Sequence, residues 1–156
     1  MKVSKMFNYS NRAVLVLLIF SVLFGCAHKK AYKKALELEK SGQYVAAAEQ
    51  DLKALDKKPE YEDAKAHLSI IAPKAYDELR SRAENSERNN QWTDAINHWK
   101  HLDIMLGRFV RHNIHLSTID VKSRLDQARN RGTSFYYSAA EQAFNSSQYS
   151  VAIEHY

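Results

Sequence analysis

One short pattern occurs three times in this chain: a turn residue, a glutamine, an aromatic, two further residues and an alanine. It reads Gly42-Gln43-Tyr44-Val45-Ala46-Ala47, then Asn90-Gln91-Trp92-Thr93-Asp94-Ala95, then Ser147-Gln148-Tyr149-Ser150-Val151-Ala152. Three copies in this order are hard to attribute to chance, and internal repetition limits a chain to arrays of one supersecondary unit. Ahead of each copy a small residue recurs at the same place, as Ala35, Ala83 and Ala140. Elsewhere apolar and small residues return at three- and four-residue spacing, and there is no alternation of the kind that makes strands. With only four glycines and two prolines in 156 residues, there is also no composition for long linkers. The reading is all-α: antiparallel helical hairpins stacked as a short α-solenoid, with lengthened first helices.

The hairpins are expected at about 27–58, 61–106 and 117–156. In the first, Gly42 suits the left-handed conformation that ends a helix, and Pro59 stops the second helix because its ring cannot continue one. Ala35 and Ala47 are small where two antiparallel helices approach, while Leu38 and Leu52 supply bulk. The repeated turns lie 48 and then 57 residues apart, so extra helix must be accommodated. From Tyr61 through Ala64, Leu68, Ile71, Ala75, Leu79 and Ala83 the apolar phase holds, which predicts one helix to about Asn89, kinked near Pro73. A similar phase runs from Thr118 to Ala143, where Gly132 could break it in two. Gly107 to Ser117 reads as a loop or a short helix. The third copy has only eight residues from Tyr149 to Tyr156, against fourteen from Tyr44 to Lys57, so the last repeat is expected to be truncated.

The first hairpin resembles the tetratricopeptide repeat. Gly42 matches that family's turn glycine, Tyr44 the aromatic opening its second helix, Ala47 and Ala54 its small contact residues, and Pro59 its terminating proline. The later copies lack the turn glycine, and the spacing exceeds the family's ~34 residues. The resemblance implies a concave surface formed by the first helices of successive hairpins. Its lining would include Lys29, Tyr32 and Leu36, then Asp77, Arg80, Glu84 and Arg88, then Ser134, Tyr137, Glu141 and Phe144. Such a face is amphipathic and mixed in charge, and it suits a peptide or partner helix in a groove. The alternatives are that the lengthened helices close the groove, or that these charges form an ordinary solvated face.

The amino terminus has the three regions of a secretory signal peptide: Lys2, Lys5 and Arg12, then an uncharged run from Ala13 to Phe24, then a small residue before the only cysteine. The run is too short for a bilayer core that needs ~20 apolar residues. Leu23-Phe24-Gly25-Cys26 resembles the lipobox of bacterial lipoproteins, in which lipid is attached to the cysteine sulfur. The resemblance implies a signal peptide over 1–25, lipidation of Cys26 and a mature chain from 26 to 156. Since Ala27 is not the aspartate that retains such proteins in the inner membrane of enteric bacteria, it implies the periplasmic face of the outer membrane. Lys29, Lys30, Lys33 and Lys34 then either lie near lipid headgroups, where each adds ~1 kcal/mol of attraction to an anionic surface, or form a solvated first helical turn and a half.

The mature part is long enough for a single folded unit with a sizeable core. Without the three basic residues of the signal, 20 of the 23 Lys and Arg remain against 18 Asp and Glu, which gives nucleic-acid binding little electrostatic support. His98 and His101, like His112 and His115, are three apart and would share a helix face, but no carboxylate completes either pair as a metal site. Trp92 and Trp99 are assigned to the core. No phosphate loop, nucleophile elbow or carboxylate pair stands in a recognisable setting. The expectation is therefore association without a cofactor and not turnover. The chain reads as a lipid-anchored periplasmic adaptor or scaffold for partner proteins, alternatively as an accessory subunit positioning a cell-envelope enzyme, or as a histidine-based metal sensor.

Overall fold

A computed structural model describes residues 27–155; the segment 1–25 expected as a signal peptide, Cys26 and Tyr156 lie outside the described residues. The fold is all-α, with no strand among the described residues. In chain order the helices are α1 (Ala27–Lys40), α2 (Tyr44–Lys57), α3 (Glu62–Arg88), α4 (Trp92–Arg111), α5 (Val121–Asn145) and α6 (Tyr149–His155). They form three hairpins in succession, each closed by one copy of the repeated pattern.

The three turns are built alike. Gly42, Asn90 and Ser147 all take positive φ, at 72°, 55° and 61°. The following glutamine N–H reaches back to close the helix: Gln43 to Leu38 O at 3.0 Å, Gln91 to Ser86 O at 2.9 Å and Gln148 to Ala143 O at 2.9 Å. With the bonds that reach three residues back, from Gly42 to Glu39 O, Asn90 to Glu87 O and Ser147 to Phe144 O, each turn is a Schellman motif that satisfies carbonyls a helix end leaves open. The glutamine carbonyl then accepts the first bond of the next helix, from Ala47, Ala95 and Ala152. Two copies thus keep the left-handed residue without glycine, using asparagine, which tolerates that region, and serine, for which it costs more. Asn113 at φ 60°, with Ile114 N–H on Phe109 O, ends α4 in the same way.

Packing follows the repeat. Ala35, Ala47, Ala83, Ala95 and Ala140 are fully buried, and Ala152 is nearly so. Trp92 and Trp99 are buried in the second hairpin, at 7% and 0% exposure.

Four expectations are corrected. The mature part was expected to be one folded unit, but it forms two compact units, one ending at Ile71 and the other starting at Ala72, inside α3. At 27 residues α3 is ~40 Å long, more than one small core spans, so its two halves are packed by different elements. The helix passes through Pro73 without interruption, giving up only the bond that the missing N–H would have made to Ser69 O. The second hairpin does not end at 106. Helix α4 continues through Gly107 to Arg111, because Phe109 is fully buried on the same face as Leu102 and Met105. That extension also leaves His112 and His115 beyond the helix, so they share no helix face.

Gly132, finally, does not break α5. It lies in the middle of a continuous helix that starts where the Asp120 side chain accepts from Ser123 N–H at 3.0 Å. Its role is closeness: a methyl group there would sit 2.9 Å from Trp92 Cβ. Gly107 has nothing within 4 Å of such a methyl. The two helical glycines should therefore respond oppositely to alanine. Gly107→Ala is expected to stabilise by ~0.5–1 kcal/mol through reduced unfolded-state freedom, and Gly132→Ala to destabilise by ~1–3 kcal/mol through overpacking against Trp92. Urea unfolding of the two variants checks this; a gain at both positions would contradict the α4–α5 contact.

Candidate partner-binding surface

In the second unit the face predicted from Asp77, Arg80, Glu84 and Arg88 lies on the later turns of α3. Asp77 and Arg88 are exposed, and Arg80 Nε donates to Glu84 Oε1 at 3.0 Å along the helix. The non-helical segment 112–120 runs beside this face. Ile119 N–H donates to the Tyr76 hydroxyl at 3.2 Å, and residues 115–119 share a cleft with Pro73, Tyr76, Asp77 and Arg80. A second cleft joins Arg80 and Glu84 to Ile119, Asp120, Ser123 and Arg124. Beside this part of the predicted face lies a connection, residues 115–119.

Beneath these clefts is a polar network that the sequence did not announce. Glu87 accepts from Trp99 Nε1–H at 2.7 Å and from Arg124 at 3.1 Å, and the Arg124 guanidinium lies 5.2 Å from the Trp99 ring centroid. One carboxylate thereby fixes α3, α4 and α5, since a truncated partner would leave buried donors unpaired.

The third hairpin presents the other predicted residues. Tyr137 and Phe144 are 57% and 59% exposed, Glu141 and Ser134 are exposed, and Phe144 stacks edge-on with Tyr149 at 5.5 Å. Tyr149 and Ile153 add 56% and 76% exposure on α6. Ser134 also lines a shallow groove with Trp92, Phe135 and Gln142.

In the first unit, Lys29 is exposed and Leu36 half-buried. Tyr32 packs edge-on against Tyr61 and His67, at 5.5 and 5.9 Å. That contact belongs to a second cluster absent from the sequence reading. His67 of α3 lies between two carboxylates, with Nδ1 2.6 Å from Asp51 Oδ2 of α2 and Nε2 3.0 Å from Glu39 Oε2 of α1. Asp51 is fully buried, and its Oδ1 finds no hydrogen-bond partner among the described residues. Burial pushes the Asp51 carboxyl up to about 6, against the opposing pull of the His67 hydrogen bond. Burial also works against charge on His67, but the hydrogen bonds and charges of Glu39 and Asp51 outweigh it and raise the imidazole above its ordinary value. The signal that could have found this cluster is Asp51 itself, an acid in phase with Ala47, Ala48, Leu52 and Leu55.

No family model matches this chain. Neither a curated protein nor a solved structure matches it. Its chemistry therefore rests on its own residues. Among the described residues no three His, Cys, Asp or Glu side chains converge as metal ligands, although His98 and His101 share α4. No described helix is long and apolar enough to cross a membrane.

The cluster makes stability depend on pH in a definite direction. A group whose folded pKa is raised contributes stability that is complete below its unfolded pKa and lost as pH rises through the folded value. Asp51 loses its share as pH rises through about 6, and His67 loses its share above its ordinary ~6.5. The protein is expected to melt higher near pH 5 than near pH 8, and Asp51→Asn, which removes the Asp51 share and one of the charges that raise His67, to flatten that difference. Thermal melts across this range check it; equal pH slopes in both proteins would contradict the assignment.

Proposed function

We propose that this chain is a lipid-anchored adaptor of the bacterial cell envelope, tethered through Cys26 at the periplasmic face of the outer membrane and binding partner proteins through helical hairpins of tetratricopeptide-like type. Its work is association and not turnover. The observation that supports this most is the pair of large apolar side chains that α5 exposes seven residues apart, Tyr137 at 57% and Phe144 at 59%, with Tyr149 edge-on against Phe144 at 5.5 Å. An exposed apolar patch of this kind marks an interaction site. Glu141 beside it and the Arg80–Glu84 cleft supply the mixed charge expected of a surface that receives a peptide or helix.

Photo-crosslinking residues placed at Tyr137, Phe144 and Ile153 in cells are expected to give one discrete adduct, and the same residue at exposed Lys100 or Arg111 none. Phe144→Ala is expected to weaken the captured complex roughly tenfold, as loss of an aromatic anchor worth ~1–2 kcal/mol does. Equal adducts from all five positions, or none from α5 and α6, would contradict the assignment.

A further inference from the structure

The first hairpin has two faces of opposite character. On α1, His28, Tyr32, Ala35 and Glu39 fall together on the helical period, and His28, Tyr32 and Glu39 meet Tyr61, just before α3, or His67 within it. Lys30, Lys34 and Glu37 fall about half a turn away. On α2 the same division separates Asp51 from Gln50, Lys53 and Lys57. The far sides of the two helices meet in a cleft lined by Lys29, Lys30, Lys33, Lys34, Lys53 and Lys57. Glu37 is the one acid lining it, and it is held by Lys34 at 3.3 Å.

This concentration works against folding. Lys29 and Lys33, Lys30 and Lys34, and Lys53 and Lys57 are like-charged neighbours four apart, which destabilises a helix. Lysines also occupy the first turn of α1, where no acid offsets the positive end of the helix dipole. An anionic counter-surface would relieve all of these repulsions together. The six lysines are exposed, and none is sequestered as a site for a small anion would require. Their spread over two helices fits an array of phosphates better than a single one.

From this charge complementarity we infer that the first hairpin lies on phosphate-bearing anionic lipid headgroups through the lysine cleft, with its α3-facing side turned away from the bilayer. The inference rests on the lipid-anchor reading, because the cleft begins at Ala27, next to the proposed lipidation site at Cys26. The anchor supplies attachment, and the cleft sets how the hairpin sits.

The test uses the mature lipidated protein reconstituted on vesicles of phosphatidylcholine alone or with about one-third phosphatidylglycerol. A membrane-impermeant acetylating reagent is applied, and each lysine is read by mass spectrometry. On anionic vesicles the six cleft lysines should be labelled at least ~3-fold less than on neutral ones, with Lys74, Lys100 and Lys122 unchanged, and high salt should remove the difference. Lys53→Glu with Lys57→Glu should return labelling of the α1 lysines toward the neutral-vesicle level. Unchanged labelling of the cleft on anionic lipid overturns the inference. So does full protection of the α1 lysines in the double variant, which would mean that nearness to the anchor is enough. Protection by soluble polyphosphate on neutral vesicles but not by anionic lipid also overturns it, in favour of a soluble polyanion. Flotation with neutral vesicles reports separately on the anchor, so loss of flotation there counts against the lipid attachment and leaves the labelling on anionic vesicles to decide the cleft.

Discussion

Each hairpin closes through one residue held in the left-handed region, and the rest of the structure depends on that bend. Gly42, Asn90 and Ser147 turn the chain within three residues, and the following glutamine uses its N–H to end one helix and its carbonyl to begin the next. So short a turn forces the two helices close together. Closeness in turn demands small residues, which is why Ala35, Ala47, Ala83, Ala95 and Ala140 are all fully buried. Between α4 and α5, which no such turn joins, a large side chain sits at the contact and the partner gives way completely: Trp92 lies against Gly132, a residue that costs helix stability but leaves room.

Apolar packing of this kind fixes distance but tolerates sliding, and each unit adds one buried polar cluster that ties three helices together. In the first, His67 bridges Asp51 and Glu39; in the second, Glu87 bridges Trp99 and Arg124. Such groups add little net stability when paired. Losing one partner is costly, because the remaining charge stays buried. A shifted register would impose that cost, so these clusters select one packing among several that alanine and leucine alone would allow. The first cluster also gives the stability of its unit a pH dependence that the second has no histidine to provide.

The helical class, the three hairpins and the long α3 were legible because period and turn chemistry are local signals. The repeat located all three left-handed residues, including the two that are not glycine. Gly107 and Gly132 misled for a physical reason: an isolated glycine in a helical pattern reads as a break, whereas one has no neighbour to resolve its role and the other is needed by a tryptophan forty residues earlier in the chain. The polar clusters were invisible for the same reason, since His67 and Asp51 are 16 residues apart and Arg124 and Glu87 are 37 apart. The boundary inside α3 depends on which neighbours pack on each half of one unbroken helix, and no local pattern encodes that. Of the predicted surface residues, Tyr137, Glu141 and Phe144 are exposed on α5, whereas Tyr32 packs within the first unit.

The repeated pattern sets the same helix–helix register in successive hairpins, with its alanine at the closest approach. The most direct measurement is the unfolding free energy of Ala47→Leu, Ala95→Leu and Ala46→Leu. Ala47 and Ala95 are fully buried and Ala46 is half-buried on a different face. Losses of ~1–3 kcal/mol are predicted for the first two and much less for Ala46→Leu. Equal losses at the three positions would contradict the register.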